Sequence, residues 1–420
     1  MNKLSAEIKQ QVFYVLLIRG ETLAKENKST ESVDKAVEYF VKAVALVSHP
    51  GEVLMSYEQT LPADIFKRII SELQKQNIEK TKAYFASLNP ETGLVRFDEM
   101  EGPKVTSPTG NSNLKQWTAV ASTDVTEGTV LMSEEPDIAM CTLKDSQECC
   151  DFCFKSLNDC EKEHLADLSY CSKFCLTQAH STYGKHIEKL EGTAAYAYQQ
   201  LVKVVHETKC YGPLLMLRYI AALLENELSR QKSSSESGED LDKLHLFAHY
   251  DYLRPAYRVP RDSDKAEAVL IRTILEPSHQ DIGQFLSDEI YVAMKSTVMF
   301  NSIGISNSSD FSEESEISVN SSEDGIDKPV LKAVEPIRVT GTTSKSNFFG
   351  LYHSFAHLSH SCTPNCELIS DPEIPRRLKL VAKREIKSDE KLTISFVGSE
   401  GKCYKEVIER DFYISCECSA

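Results

Sequence analysis

Gly350-Leu-Tyr-His-Ser-Phe-Ala-His-Leu-Ser-His-Ser-Cys-Thr-Pro-Asn-Cys366 is the stretch on which the reading of this chain turns. An apolar, partly alternating run, as in a β-strand, leads into a compact turn of Ser359, His360, Ser361, Cys362, Pro364 and Asn365. Small polar side chains and a thiol set beside a β-like run need hydrogen-bond partners once they are buried. Such a cluster is costly to hold unless it has a task.

Around that stretch, 420 residues suffice for two or three domains, and an apolar share of 41% is ordinary for a globular chain. The net charge of −16 argues against general binding to nucleic acid or anionic membrane. It suits basic partners such as lysine-rich tails or basic amphipathic helices. The early apolar run Val12 to Ile18 is far too short to span a membrane and lacks a signal-peptide layout. Thirteen cysteines without an export signal read as reduced thiols or metal ligands. The cytosol is the expected location, with the nucleus left open although no basic import cluster stands out.

Upstream, residues 5 to 84 are helical by pattern. Ser5 can cap a helix to about Lys25. Thr30, Ser32 or Asp34 can cap a second, whose Ala36, Val37, Phe40, Val41, Val44 and Ala45 share one stripe. His49-Pro50-Gly51 breaks it. A short helix from Val53 to Gln59 and another from Ala63 to about Gln74 follow. Residues 86 to 115 read as a linker or an opening hairpin. Strands are expected from Gln116, with Glu127-Gly128 as a turn.

Cys150-Asp-Phe-Cys153 and Cys171-Ser-Lys-Phe-Cys175 have the spacing of two thiolate pairs that close a tetrahedral zinc site. Cys160, His164, His180 and His186 could form a second, weaker set. Residues 190 to 290 are mostly helical, with Ser233 to Asp240 a mobile loop. Asp281 to Asn301 reads as one helix. Ser306 to Asp327 is rich in serine and acid and is expected to be disordered. Strands resume near Val330 to Val339.

Two resemblances give these elements an order. The stretch from Ser359 to Asn365 resembles the signature of SET-domain protein methyltransferases, with Ser359 where that family has Asn. Glu127-Gly128-Thr129-Val130 and Glu135-Pro136 fit the family's early strands. Asn113-Leu114-Lys115-Gln116-Trp117 lacks the glycines of its cofactor loop. Tyr170-Cys171-Ser172 and Cys175 resemble the MYND zinc module of one branch. The resemblance implies an α+β fold: a SET-type β-fold over residues 116–399 with a MYND-like zinc insert (141–190) and a helical insert (191–300). A disordered acidic loop (306–328) and a partial post-SET segment (400–420) complete it. It implies S-adenosylmethionine as cofactor beside Asn301, Ser359 and His360, and zinc on Cys150, Cys153, Cys171 and Cys175. It also implies a post-SET metal clip on Cys362, Cys416 and Cys418, with Cys366 or Cys403 as further options.

The implied reaction moves a methyl group from a sulfonium to a protein lysine, which requires close alignment and a neutral amine. The family uses two tyrosines there. This chain has Phe396 at the first position and, at the second, Phe412 or Tyr413 depending on the direction of counting. A phenyl ring can wall the channel but has no hydroxyl to orient the amine. The substrate could be a histone or another protein. These departures leave open an inactive SET scaffold that works as a binding adaptor.

The second resemblance is amino-terminal. Ala36 to Leu46, Pro50 to Thr60 and Leu61-Pro-Ala-Asp-Ile-Phe66 are similar to the small presequence receptor of the mitochondrial outer-membrane translocase. It implies an all-α helical-hairpin domain over residues 1–85 with a groove for amphipathic targeting helices. No counterpart of that family's membrane anchor is read here, so outer-membrane association is left open.

Overall fold

The computed structural model describes residues 6–26, 29–47, 50–90, 92–101, 105–107, 110–112, 115–141, 148–158, 163–165, 168–208, 210–236, 249–256, 261–306, 337–340 and 348–396. The chain divides into two compact units, Met1–Ser87 and Leu88–Ala420.

The first unit is four helices: α1 (Ala6–Glu26), α2 (Thr30–Val44), α3 (Pro50–Thr60) and α4 (Ala63–Ser87). The cap of α2 is Ser29, one residue before the earliest expected one. Its side chain accepts from the Ser32 N–H, and the Ser32 hydroxyl accepts from the Ser29 N–H at 3.1 Å. That is a reciprocal capping box. Val33, Ala36, Val37, Phe40, Val41 and Val44 are buried against Ala24, Tyr57, Ile65 and Ile69. The Phe40 and Tyr57 rings meet edge-on at 5.0 Å. Helix α4 outruns its expected end at Gln74, because no breaker precedes Asn89-Pro90. Tyr14, Val15 and Ile18 form an exposed apolar stripe on α1. No helix among the described residues is long and apolar enough to cross a membrane.

Of the stretch 86–115, residues 86 and 87 end α4, and in the second unit its described strands take the hairpin form. β1 (Val95–Glu101) is followed by the short pair β2 (Val105–Ser107) and β3 (Gly110–Ser112). β4 (Lys115–Ala121) then returns along β1, from Val95 opposite Ala121 to Glu101 opposite Lys115. Gly128 turns the chain with φ 79°, a conformation that costs a glycine little. β5 (Val130–Glu134) and β6 (Ile138–Cys141) follow.

The insert holds β7 (Glu163–Leu165), β8 (Leu168–Tyr170), α5 (Lys173–Thr182), α6 (Gly192–Thr208) and α7 (Gly212–Glu236). Residues 233–236, expected in a mobile loop, continue α7; residues 237–240 of that expectation lie outside the described residues. α8 (Asp262–Leu275) comes next. The single helix expected from Asp281 is two, α9 (Ile282–Phe285) and α10 (Asp288–Asn301), because the Ser287 hydroxyl accepts from the Ile290 N–H and starts a new helix. Lys295 of α10 is buried between Asp264, at 3.1 Å, and Glu267 of α8.

β9 (Ser302–Ser306), β10 (Ile337–Thr340) and β11 (Phe348–Leu351) join β6 in a sheet of order β10-β9-β11-β6. A Cβ on Gly350 would lie 2.8 Å from the Ala139 Cβ and 2.9 Å from the Ile138 carbonyl, so β11 and β6 approach this closely only with glycine there. All of the acidic stretch 306–327 except Ser306 lies outside the described residues. β12 (Ser359–His360) pairs in parallel with the last described strand, β15 (Thr393–Ile394). Between them, β13 (Cys366–Ser370) and β14 (Leu378–Ala382) form a sheet of order β13-β14-β5. The architecture is α+β.

Candidate cofactor site and metal centre

The turn at Ser359–Asn365 is held by the returning chain, which lies between β12 and β4. The Leu392 N–H donates to the Ala119 carbonyl (2.9 Å), and the Ser359 N–H donates to the Leu392 carbonyl (3.1 Å). Asn365 locks the crossing. Its Nδ2 donates to the Lys391 carbonyl (2.8 Å) and to Glu390 (2.9 Å), and its Oδ1 accepts from the Thr393 N–H (2.8 Å) and hydroxyl (3.0 Å). Only 2% of Asn365 is exposed, so each of these bonds replaces a lost water contact.

His360 emerges from this crossing. Its Nδ1 accepts from the Phe396 N–H (3.2 Å), and its ring lies 5.2 Å from the Phe396 ring. Burial pushes the imidazole down to about 4, so it is neutral near pH 7. The Ser359 hydroxyl shares a 2.8 Å hydrogen bond with Thr118, whose hydroxyl also donates to the His357 carbonyl (3.1 Å). Phe396 is fully buried.

Asn301, at the end of α10, faces the loop 249–256. Its Nδ2 donates to the carbonyls of Arg254 and Thr297 (both 2.8 Å), and its Oδ1 accepts from the Arg254 N–H (3.3 Å). The Arg254 guanidinium in turn donates to the Leu358 carbonyl and lies over the Phe396 ring at 5.8 Å. Arg254 therefore joins Asn301 to the neighbourhood of Phe396 and His360. It makes no ion pair with a carboxylate among the described residues, its Nε has no partner there, and burial pushes it down to about 10. Nothing in Leu253-Arg254-Pro255 signals this role in the sequence.

The four cysteines of the two pairs converge, with their sulfurs within 4.8 Å of one another. Cys150 and Cys153 flank a tight knuckle in which the Phe154 N–H donates to the Cys150 carbonyl (2.9 Å). Phe154 holds φ 64° and is anchored by its ring, 4.7 Å from that of Phe348. Cys171 and Cys175 sit at the start of α5, where the Ser172 hydroxyl accepts from the Cys175 N–H and caps the helix. Hydrogen bonds from Cys153 and Cys175 push the Cys150 thiol down to about 2. A thiolate at the centre of a sulfur cluster suits a soft cation.

Two arginines tie this cluster to the core. Arg218 of α7 donates to both oxygens of buried Asp151 (2.8 and 2.7 Å), within the first cysteine pair, and to the Ala139 carbonyl (3.0 Å). Burial alone would lower the Arg218 pKa, but the Asp151 carboxylate outweighs it and raises it. Arg376 lies 4.0 Å over the Phe152 ring, and its carbonyl accepts from the Tyr352 hydroxyl (2.6 Å).

Among the described residues His180 and His186 join no second cluster of metal-ligating side chains. They face Glu188 (2.6 Å) and Glu225 (3.2 Å) respectively. Cys362 is buried with its sulfur 3.4 Å from His360 Nε2. Phe412, Tyr413, Cys403, Cys416, Cys418, Cys160 and the Asn113-Leu114 pair lie outside the described residues.

Comparison with known proteins follows this division. A family described as "SET domain" matches residues 116–397, and one described as "MAS20 protein import receptor" matches residues 2–85. The SET domain and MYND-type zinc finger protein 6 of Schizosaccharomyces pombe is 41% identical over 64 residues. That overlap is 14% of this chain and 12% of the yeast protein's length.

Proposed function

Because this chain belongs to the SET-domain family, we propose that it transfers a methyl group from S-adenosylmethionine to the lysine of a protein. The observation that carries the proposal is the crossing locked by Asn365, which sets His360, Phe396 and Arg254 around one locus. The residues there fit the cofactor in charge. The methionine end of S-adenosylmethionine carries a carboxylate, and Arg254 offers a guanidinium with no acid partner among the described residues. The rings of His360 and Phe396 offer flat apolar faces. When bound, the cofactor supplies an electrophilic methyl on a sulfonium.

The chain's own residues position and exclude water. We assign Asn301 to holding the Arg254 backbone, since both ends of its amide are engaged there and at Thr297. We assign His360 to the cofactor side and Phe396 to the wall of the lysine channel. Phe396 cannot orient the amine, so a hydroxyl from Tyr413 or a backbone carbonyl takes that task. Cys150, Cys153, Cys171 and Cys175 hold a zinc ion that fixes the insert. Cys362 with Cys416 and Cys418 forms a second clip.

A second reading rests on Ser359 and Phe396. Ser359 is engaged with Thr118 and Phe396 lacks a hydroxyl, which suits a scaffold that binds without turnover. The exposed stripe of Tyr14, Val15 and Ile18 suits capture of an amphipathic helix by the first unit. A methyl-transfer assay with radiolabelled cofactor, offered histones and a whole protein extract, separates the two readings. Incorporation into lysine supports the enzyme. Cofactor binding without incorporation supports the scaffold.

A further inference from the structure

Three segments far apart in the chain bring Asp137, His249 and His353 together. Asp137 precedes β6, His353 follows β11, and His249 opens the loop that carries Arg254. One nitrogen of each histidine and one carboxylate oxygen lie within 4.8 Å of one another. The His353 Nδ1 is 2.9 Å from Asp137 Oδ1 and 3.3 Å from Glu134 Oε1. The two imidazoles are stacked almost parallel, with centroids 4.0 Å apart and planes at 16°.

One feature of this cluster calls for a ligand. Asp137 Oδ2 is buried and has no hydrogen-bond partner, which costs free energy unless something binds it. A cation between the donors would answer it. It would coordinate the carboxylate and turn each ring nitrogen toward a common point.

We propose that Asp137, His249 and His353 bind a divalent first-row transition ion, with zinc as the default occupant. Two imidazoles and one carboxylate are a ligand set that suits zinc and leaves a fourth position for water. Zinc requires its donors at roughly 2.0–2.2 Å, so the two rings, now stacked, must rotate out of the stack to bind it. Glu134 stands behind the ligands. Its two oxygens accept from the Ser354 (3.0 Å) and Phe355 (3.1 Å) N–H groups, so it fixes the turn that presents His353. The ion links the insert loop, the β5–β6 connection and the start of the signature stretch. It would hold Arg254 at its station through His249, five residues before it. The proposal is independent of methyl transfer and of the four-cysteine cluster.

The test is a metal count on the full chain, loaded with zinc and dialysed. A mercurial reagent first displaces zinc held by thiolates, and acid then releases the remainder. We expect about one equivalent per chain to resist the mercurial and to be lost in the His249→Gln/His353→Gln variant. Cys150→Ser should leave that equivalent in place. Absence of mercurial-resistant zinc in the unaltered protein would overturn the proposal, whether or not the variant folds. An unchanged resistant equivalent in a folded variant would overturn it too. As a second readout, cobalt left after mercurial treatment should show ligand-field bands without thiolate charge transfer; thiolate bands there would contradict the assignment.

Discussion

The four-cysteine cluster and the Asn365 crossing are built in opposite ways. The cluster draws its donors from two short motifs, Cys150 to Cys153 and Cys171 to Cys175, each of which presets its own geometry by a knuckle or a capped helix start. The crossing draws on β4, β12, β15 and the loop at Arg254, and no one of these is shaped like a site alone. A local site can form with its metal while the rest of the unit is still disordered. A site assembled by threading exists only when the whole unit is folded.

The contrast can be broken most severely at the cluster. Replacing Cys150 by Ser removes binding free energy on the order of 10 kcal/mol in comparable zinc modules. We expect loss of about one zinc per chain and protease sensitivity confined to the insert, read by metal analysis and limited proteolysis. Next is the tie between cluster and core. Arg218→Met leaves Asp151 buried and unpaired, which should cost about 3–5 kcal/mol in urea unfolding. Third is the lock itself. Asn365→Ala leaves the Lys391 carbonyl and Thr393 N–H without their partner and should cost about 3 kcal/mol by the same measurement. It should leave the cysteine-bound metal in place, which separates the two regions. The smallest effect is at Arg254. Arg254→Gln removes one charge from the locus and should weaken cofactor binding about tenfold, as expected for a lost charge-assisted hydrogen bond.

The sequence announced these two regions unequally. Ligand spacing made Cys150, Cys153, Cys171 and Cys175 readable, because a metal restricts which residues can stand a few positions apart. The signature stretch was readable as a string. What holds it was not, since Thr118 meets Ser359 and Ala119 meets Leu392 across hundreds of residues, and Asn365 meets Lys391 and Thr393 across more than twenty, pairings that no local periodicity encodes. Arg254 and the Asp137, His249 and His353 group were invisible for the same reason. At the level of elements, α4 ran past its expected end because a polar helix continues until a breaker stops it. The helix expected from Asp281 split at Ser287 because a serine that can cap a new helix competes with one already running. Asn301 stood in the sequence as a cofactor-side residue; that its amide also grips the Arg254 backbone was visible only in three dimensions.

The central claim is that the threaded crossing forms a cofactor site. Isothermal titration of S-adenosylmethionine into the folded, zinc-loaded full chain tests it directly. Saturable binding of one cofactor per chain, weakened about tenfold by Arg254→Gln, is the predicted result. Absence of binding to a sample shown to be folded and metal-loaded would contradict it.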